Sequence, residues 1–105
     1  MSDNTVEEIK RFVLDDNAIF TIGQYRYRIR FPRCAGRKGL YFVTVLVSDK
    51  WRYVGHFWRS SLTLSRGVKS EFSWDDGPVA IFDKFLTGLK YGKLPDQMDV
   101  TRDVS

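Results

Sequence analysis

Tyr25-Arg26-Tyr27-Arg28-Ile29-Arg30-Phe31 alternates without a break between apolar or aromatic side chains and guanidinium groups. Successive side chains of an extended strand point to opposite faces, so this segment fits a strand with four apolar groups on one side and three arginines on the other. Aligned cations repel one another and lose hydration when covered. The arginine side of the strand therefore needs solvent, carboxylates or phosphates as its partners.

The flanking segments supply the rest of a small sheet and two helices. Thr5 followed by Glu8 has the capping-box pattern, and Val6, Ile9 and Phe12 or Val13 form an apolar stripe, which predicts a helix from about Thr5 to Leu14. Asp15-Asp16-Asn17 breaks it, and Ala18 to Ile22 reads as a strand. Gly23-Gln24 has the Gly-X form favoured in two-residue hairpins, so this strand is expected to fold back onto Tyr25 to Phe31. Pro32 closes the second strand. Arg33 to Gly39, with two glycines and three cations, reads as an exposed basic loop.

Leu40 to Ser48 sets Tyr41, Val43, Val45 and Val47 against Phe42, Thr44 and Leu46, and apolar character on both sides predicts a central strand at least partly covered on each face. Asp49-Lys50 connects it to a strand from Trp51 to Phe57. Trp58 to Phe72 has weaker periodicity, with Leu62 and Leu64 alternating and Gly67 suited to a turn. Gly77-Pro78 opens a second helix carrying Val79, Phe82, Phe85 or Leu86 and Leu89, which Gly92 and Pro95 bring to an end. The expected fold is α+β, a single domain over residues 1–105: an antiparallel β-meander of four or five strands with an N-terminal and a C-terminal helix. The Phe-rich helix is expected on one sheet face, leaving the other to the first helix, to solvent or to a partner.

Charge is unevenly spread along the chain. Arg26 to Lys69 holds eleven cations and one acid, Asp49, for a net +10, whereas residues 1–25 and 70–105 each carry −3. The overall +4 thus hides a basic block between acidic ends. A hydrophobic fraction of 43% and an aromatic fraction of 15% exclude a disordered tail. No apolar run approaches the roughly 20 residues that cross a bilayer, and Met1-Ser2-Asp3-Asn4 lacks the start of a signal region. A cytoplasmic protein without a membrane partner is expected. The single cysteine, Cys34, excludes an internal disulfide and a cysteine-built zinc cage, and the single histidine, His56, excludes a multi-histidine metal site.

Arg26, Arg28 and Arg30 can form a phosphate track, because guanidinium forks match phosphate oxygens and alternate strand residues lie about 6.6 to 6.8 Å apart, close to nucleotide repeats. The same row can instead be solvated and paired with Asp15, Asp16 or the C-terminal acids. Arg37 and Lys38 of the loop, Arg52 and Arg59 add cations with few local carboxylates. Trp51, Tyr53, Trp58 and Tyr41 interleave with these cations, the mixture that stacks bases and holds phosphates. Rings are also ordinary sheet residues, so at least half are expected in the core, with Trp58 the most exposed.

His56 reads as a hydrogen-bonded sheet histidine rather than a catalytic base. Cys34 has cations nearby that favour its thiolate, but no evident base to make it a nucleophile. Asp15-Asp16 and Asp75-Asp76 lie at helix ends, where capping explains them better than magnesium binding. Gly36-Arg37-Lys38-Gly39 lacks the Walker spacing. No catalytic residue, metal site or cofactor is assigned.

The order Tyr25 to Phe31, Tyr41 to Ser48, Tyr53-Val54-Gly55, then Lys84 to Pro95 ending in Gly92-Lys93-Leu94-Pro95, resembles a small domain of unknown function found in phage and plasmid proteins, over roughly Phe20 to Val100. Longer members of that family look as if they carry a cysteine-rich, zinc-binding segment after the Gly-Lys-Leu-Pro stretch. Those cysteines are absent here, so no zinc role carries over. The resemblance implies a mobile-element setting, in which small single-domain proteins bind nucleic acid or block host defence enzymes.

The leading expectation is a non-enzymatic phage or mobile-element accessory protein. It would bind nucleic acid, or a complex that handles nucleic acid, through Arg26, Arg28, Arg30, Arg37, Lys38, Arg52 and Arg59, with Trp58 stacking. The alternative is an anti-CRISPR-like inhibitor of a host nuclease or effector protein, its arginines meeting an acidic patch or its acidic flanks mimicking nucleic acid. A small hydrolase built on His56, Cys34 or Asp75-Asp76 is a third reading. No small-molecule substrate is inferred.

Overall fold

Helix α1, Val6–Val13, begins at the expected cap: the Thr5 hydroxyl oxygen accepts the Glu8 backbone N–H at 3.1 Å. It buries Ile9, Phe12 and Val13, the stripe seen in the sequence. The strands among the described residues are β1 Ala18–Ile22, β2 Tyr25–Arg30, β3 Leu40–Val47, β4 Lys50–Trp58 and β5 Val100–Arg102. Helix α2, Gly77–Tyr91, precedes β5. This computed structural model describes residues 5–14, 18–30, 39–67, 69–95 and 98–103. The expected breaker Asp15-Asp16-Asn17, the strand end Phe31-Pro32 and most of the basic loop, including Cys34, lie outside the described residues.

All strand pairs are antiparallel, in the order β4-β3-β2-β1-β5, so the α+β meander with a helix toward each end of the chain is confirmed. Gly23 takes a φ of 61° in the turn that pairs Ile22 with Tyr25, a conformation glycine adopts at little cost. The β3–β4 turn instead uses two non-glycine residues with positive φ, Ser48 at 52° and Asp49 at 66°. Their shared left-handed geometry matches the twist of the two strands.

β3 lies inside the sheet, paired with β2 and β4 and at least half-buried along its length, as its apolar character on both sides predicts, and β2 is the middle strand of the described sheet. Two expectations change. The fifth strand comes from Val100–Arg102, whose three residues pair with Phe20 to Ile22 of β1 and were not legible as a strand. Both helices also pack on the same sheet face. Phe12 of α1 meets Phe20, and Phe82 of α2 meets Phe20, Tyr27 and Phe57, all from that face.

The buried core lies between this face and the helices. Phe20, Ile22, Tyr27, Ile29, Val43, Val45 and Phe57 meet Val79, Phe82, Phe85, Leu86 and Leu89. The Tyr27 hydroxyl donates to the Pro78 carbonyl and ties β2 to the start of α2. Gly92, with a φ of 77°, ends α2 where the sequence expects it. No described helix is long and apolar enough to cross a membrane.

Candidate nucleic-acid interface

Residues that are register partners share a sheet face, so the pairing identifies what lies opposite the helices. Arg28 pairs with Ile19 on one side and Thr44 on the other, and Thr44 pairs with Tyr53. One step along, Arg30 pairs with Phe42, and Phe42 with His56. Arg26 pairs with Thr21, Leu46 with Trp51, and Leu40 with Trp58. No described helix crosses this face. Leu40 is buried there, but Arg26, Arg30 and Trp58 are exposed and the other members are half-buried, Tyr53 and His56 with Gly67 passing beside them.

Strict alternation would have split the β4 rings between the two faces, Trp51 and Tyr53 on one and His56 and Trp58 on the other. A β-bulge prevents this. The β3–β4 register shifts between Val43 and Thr44, which pair with Gly55 and Tyr53, and Val54 is the extra residue. Val54 is fully buried, and beyond it the parity of the strand is reversed. Trp51, Tyr53, His56 and Trp58 consequently all stand on the open face, while Phe57 turns inward and stacks on Tyr41 at 5.3 Å.

Gly55 makes the bulge compatible with its neighbour. The segment after β4 returns along the strand edge, where Ser65 and His56 exchange backbone hydrogen bonds of 2.7 Å in each direction. A Cβ at Gly55 would lie 2.5 Å from the Ser65 carbonyl oxygen. Gly67, with a φ of 71°, then passes over the open face, 3.7 Å from the His56 ring and from the Tyr53 hydroxyl when a Cβ is built on it. The Tyr53 hydroxyl and His56 Nδ1 are hydrogen-bonded at 3.2 Å, and burial pushes the Tyr53 phenol pKa up.

The three arginines of β2 differ in their surroundings. Arg26 forms an ion pair with Asp103, which the β5 pairing carries to the edge of the face. Arg28 lies over the Trp51 ring at 4.5 Å, in a cation–π arrangement. Burial first, then the charge of Arg30, pulls its pKa below the ordinary value, and its Nε is shielded with no acceptor among the described residues. Arg30 meets no carboxylate among the described residues and is exposed. Among the described residues, the acidic C-terminal end neutralises one cation of the row, Arg26.

The other expected site residues separate. Arg52 pairs in register with Val45 of the core face, so it lies on the helix side, 3.7 Å from Glu71, and does not join the arginine row. Trp58 has 42% of its surface exposed and stands on the open face as expected. Arg59 follows it, exposed, its N–H bonded to the Gly39 carbonyl at 2.7 Å. Arg37 and Lys38 lie outside the described residues. Tyr41 belongs to the core. Asp76 occupies the N-cap position of α2, but its carboxylate turns back to accept the Ser73 N–H at 2.9 Å and bonds no N–H of the helix's first turn, so the capping bond expected of the Asp75-Asp76 pair is not formed by Asp76.

Phe42 and His56 are the ring-bearing members of the face that sequence reasoning did not assign to it. The dipeptide Val54-Gly55 carried the missing signal, since a glycine inside a strand pattern marks a bulge or a close backbone approach. Trp74, 45% exposed beneath Arg66 at 5.8 Å, was also unassigned. No family model, curated protein or solved structure matches the chain.

Proposed function

We propose that the helix-free sheet face binds nucleic acid, or a complex that handles nucleic acid, without performing chemistry on it. The observation that carries the reading is the placement of Arg26, Arg28 and Arg30 on the central strand of an open face whose neighbouring strands supply Phe42, Trp51, Tyr53, His56 and Trp58. Cations that hold phosphates and rings that stack on bases are the two components of such recognition. The resemblance of the strand and Gly-Lys-Leu-Pro segments to phage and plasmid domains supports a mobile-element accessory role in the host cytoplasm.

The test is fluorescence anisotropy with labelled oligonucleotides at low salt. Wild-type protein is expected to bind with affinity that falls steeply as salt rises, and the variant Arg26→Glu/Arg28→Glu/Arg30→Glu is expected to lose binding while keeping its far-UV circular dichroism. Unchanged binding by that variant would remove the reading.

One observation favours a second reading, an anti-defence inhibitor that binds an acidic patch on a host nuclease or effector. Asp103 already places a carboxylate on the arginine row, so carboxylates fit this face. A partner captured from host lysate after nuclease treatment, and lost with the same arginine variant, would support it. Capture that depends on intact nucleic acid would return the decision to the first reading.

A further inference from the structure

We infer that the ligand of this face is single-stranded nucleic acid, with phosphates on Arg28 and Arg30 and bases on the ring side formed by Phe42, Tyr53, His56 and Trp58. The inference rests on the nucleic-acid reading above and narrows it. Two lines across the sheet carry the argument: Arg28, Thr44 and Tyr53 in one, Arg30, Phe42 and His56 in the next. Each begins with a cation and ends with a ring, so the face divides lengthwise into a cationic track on β2 and an aromatic track toward β4.

A single strand has the same division, a phosphodiester chain on one side and unpaired bases on the other. Strands in a sheet lie about 4.8 Å apart, which sets the backbones of β3 and β4 about 5 and 10 Å from that of β2, a width the Arg28 side chain spans to reach the Trp51 ring while Arg30 stays exposed at the β2 side. Successive arginines of β2 are about 6.8 Å apart, so each can take the phosphate of successive nucleotides in an extended chain. Trp51 serves as a support rather than a stacking surface, because its ring already carries the Arg28 guanidinium at 4.5 Å. Trp58, exposed at the end of the ring track, is free to take a base.

A duplex cannot use this arrangement. Its base faces are hidden in the stack, so the ring track would find nothing to cover. Its major groove, about 12 Å wide, admits a helix or a two-stranded ribbon, whereas the face of a five-stranded sheet is about 19 Å across. Only the phosphates of one duplex edge would reach Arg28 and Arg30.

Anisotropy titrations at one low salt concentration with labelled twelve-nucleotide oligo(dT), oligo(U) and a twelve-base-pair duplex test the inference. Single strands are expected to bind at least about tenfold more tightly than the duplex, with quenching of tryptophan fluorescence. The DNA and RNA arms show which backbone is preferred. The variant His56→Ala/Trp58→Ala is expected to weaken single-strand binding by about tenfold or more and to leave duplex binding unchanged. Trp58→Ala alone, at an exposed position, is expected to show a smaller loss in the same direction. Equal affinity for single strands and duplex, or a single-strand preference that survives loss of both rings, would overturn the inference while leaving the nucleic-acid reading intact. Absence of binding to all three probes would overturn both.

Discussion

Arg26, Arg28 and Arg30 look equivalent along the chain, but a ligand would meet three different cations. Arg26 must first leave Asp103, Arg28 lies over the Trp51 ring, and Arg30 is unengaged by any described carboxylate. An exposed ion pair is worth about 0.2 to 1 kcal/mol, so releasing Arg26 should have a small but measurable effect. Asp103→Asn is expected to tighten oligonucleotide binding by at most about fivefold and to steepen the dependence of log K on log salt by about 0.7, the contribution of one more single-strand phosphate contact. Anisotropy titrations across a salt series check both numbers. Tyr27 supports a prediction about stability. Burial, and then the Tyr25 phenolate, raise its phenol pKa far above the ordinary value, so the folded state keeps a proton that the unfolded state gives up. Stability is therefore insensitive to this group below about pH 10 and falls as pH rises beyond it. Tyr27→Phe is expected to cost about 1 kcal/mol at neutral pH, because the Pro78 carbonyl loses its donor, and to reduce the alkaline loss. Urea unfolding at pH 7 and pH 11 measures the two effects.

At the scale of elements, the bulge in β4 decides the composition of the face. Gly55→Ala would press a methyl group against the Ser65 carbonyl that receives the His56 N–H. Neither partner is a flexible side-chain end, so the expected cost is about 1 to 3 kcal/mol and a fall in Tm on the order of 10 °C, read by thermal circular dichroism. The opposite outcome is expected at the β3–β4 turn, where Ser48→Asn/Asp49→Gly relieves two positive-φ residues and should stabilise by about 0.5 to 1 kcal/mol. Elements with strong local signals were legible in the chain. Thr5 capped its helix, Gly77-Pro78 and Gly92 bounded the second, Gly23-Gln24 marked its turn, and the alternation of Tyr25 to Arg30 and Leu40 to Val47 gave both the strands and their faces. The features that were missed depend on partners distant in sequence. Val100–Arg102 is too short to have a period of its own and becomes a strand only beside β1. Arg52 read as a surface cation among cations, but the face it takes is set by its register with Val45. His56 joined Tyr53 on one face through a single extra residue, an event that alternation cannot reveal because it consists of breaking the alternation.

For the molecule as a whole, the distribution of charge matters more than its total. A net charge of +4 would give weak attraction to any polyanion, whichever surface carried it. The fold instead sets the arginine row of β2 on one face of the sheet and both helices on the other, with Lys84 and Lys90 exposed on α2. Two charge reversals can therefore be made on either side with the same change in total charge. Lys84→Glu/Lys90→Glu and Arg28→Glu/Arg30→Glu each take the formal charge from +4 to 0. If attraction is diffuse, the two variants should weaken oligonucleotide binding alike, since long-range fields respond to total charge and are screened within about 10 Å at 0.1 M salt. If phosphates sit on the β2 track, the helix variant should keep its affinity within about twofold, whereas the strand variant should lose most of its binding and flatten the salt dependence by about 1.4, the share of two single-strand phosphates. Parallel titrations of the two variants over the same salt range separate these outcomes, because equal total charge leaves only its position to account for any difference.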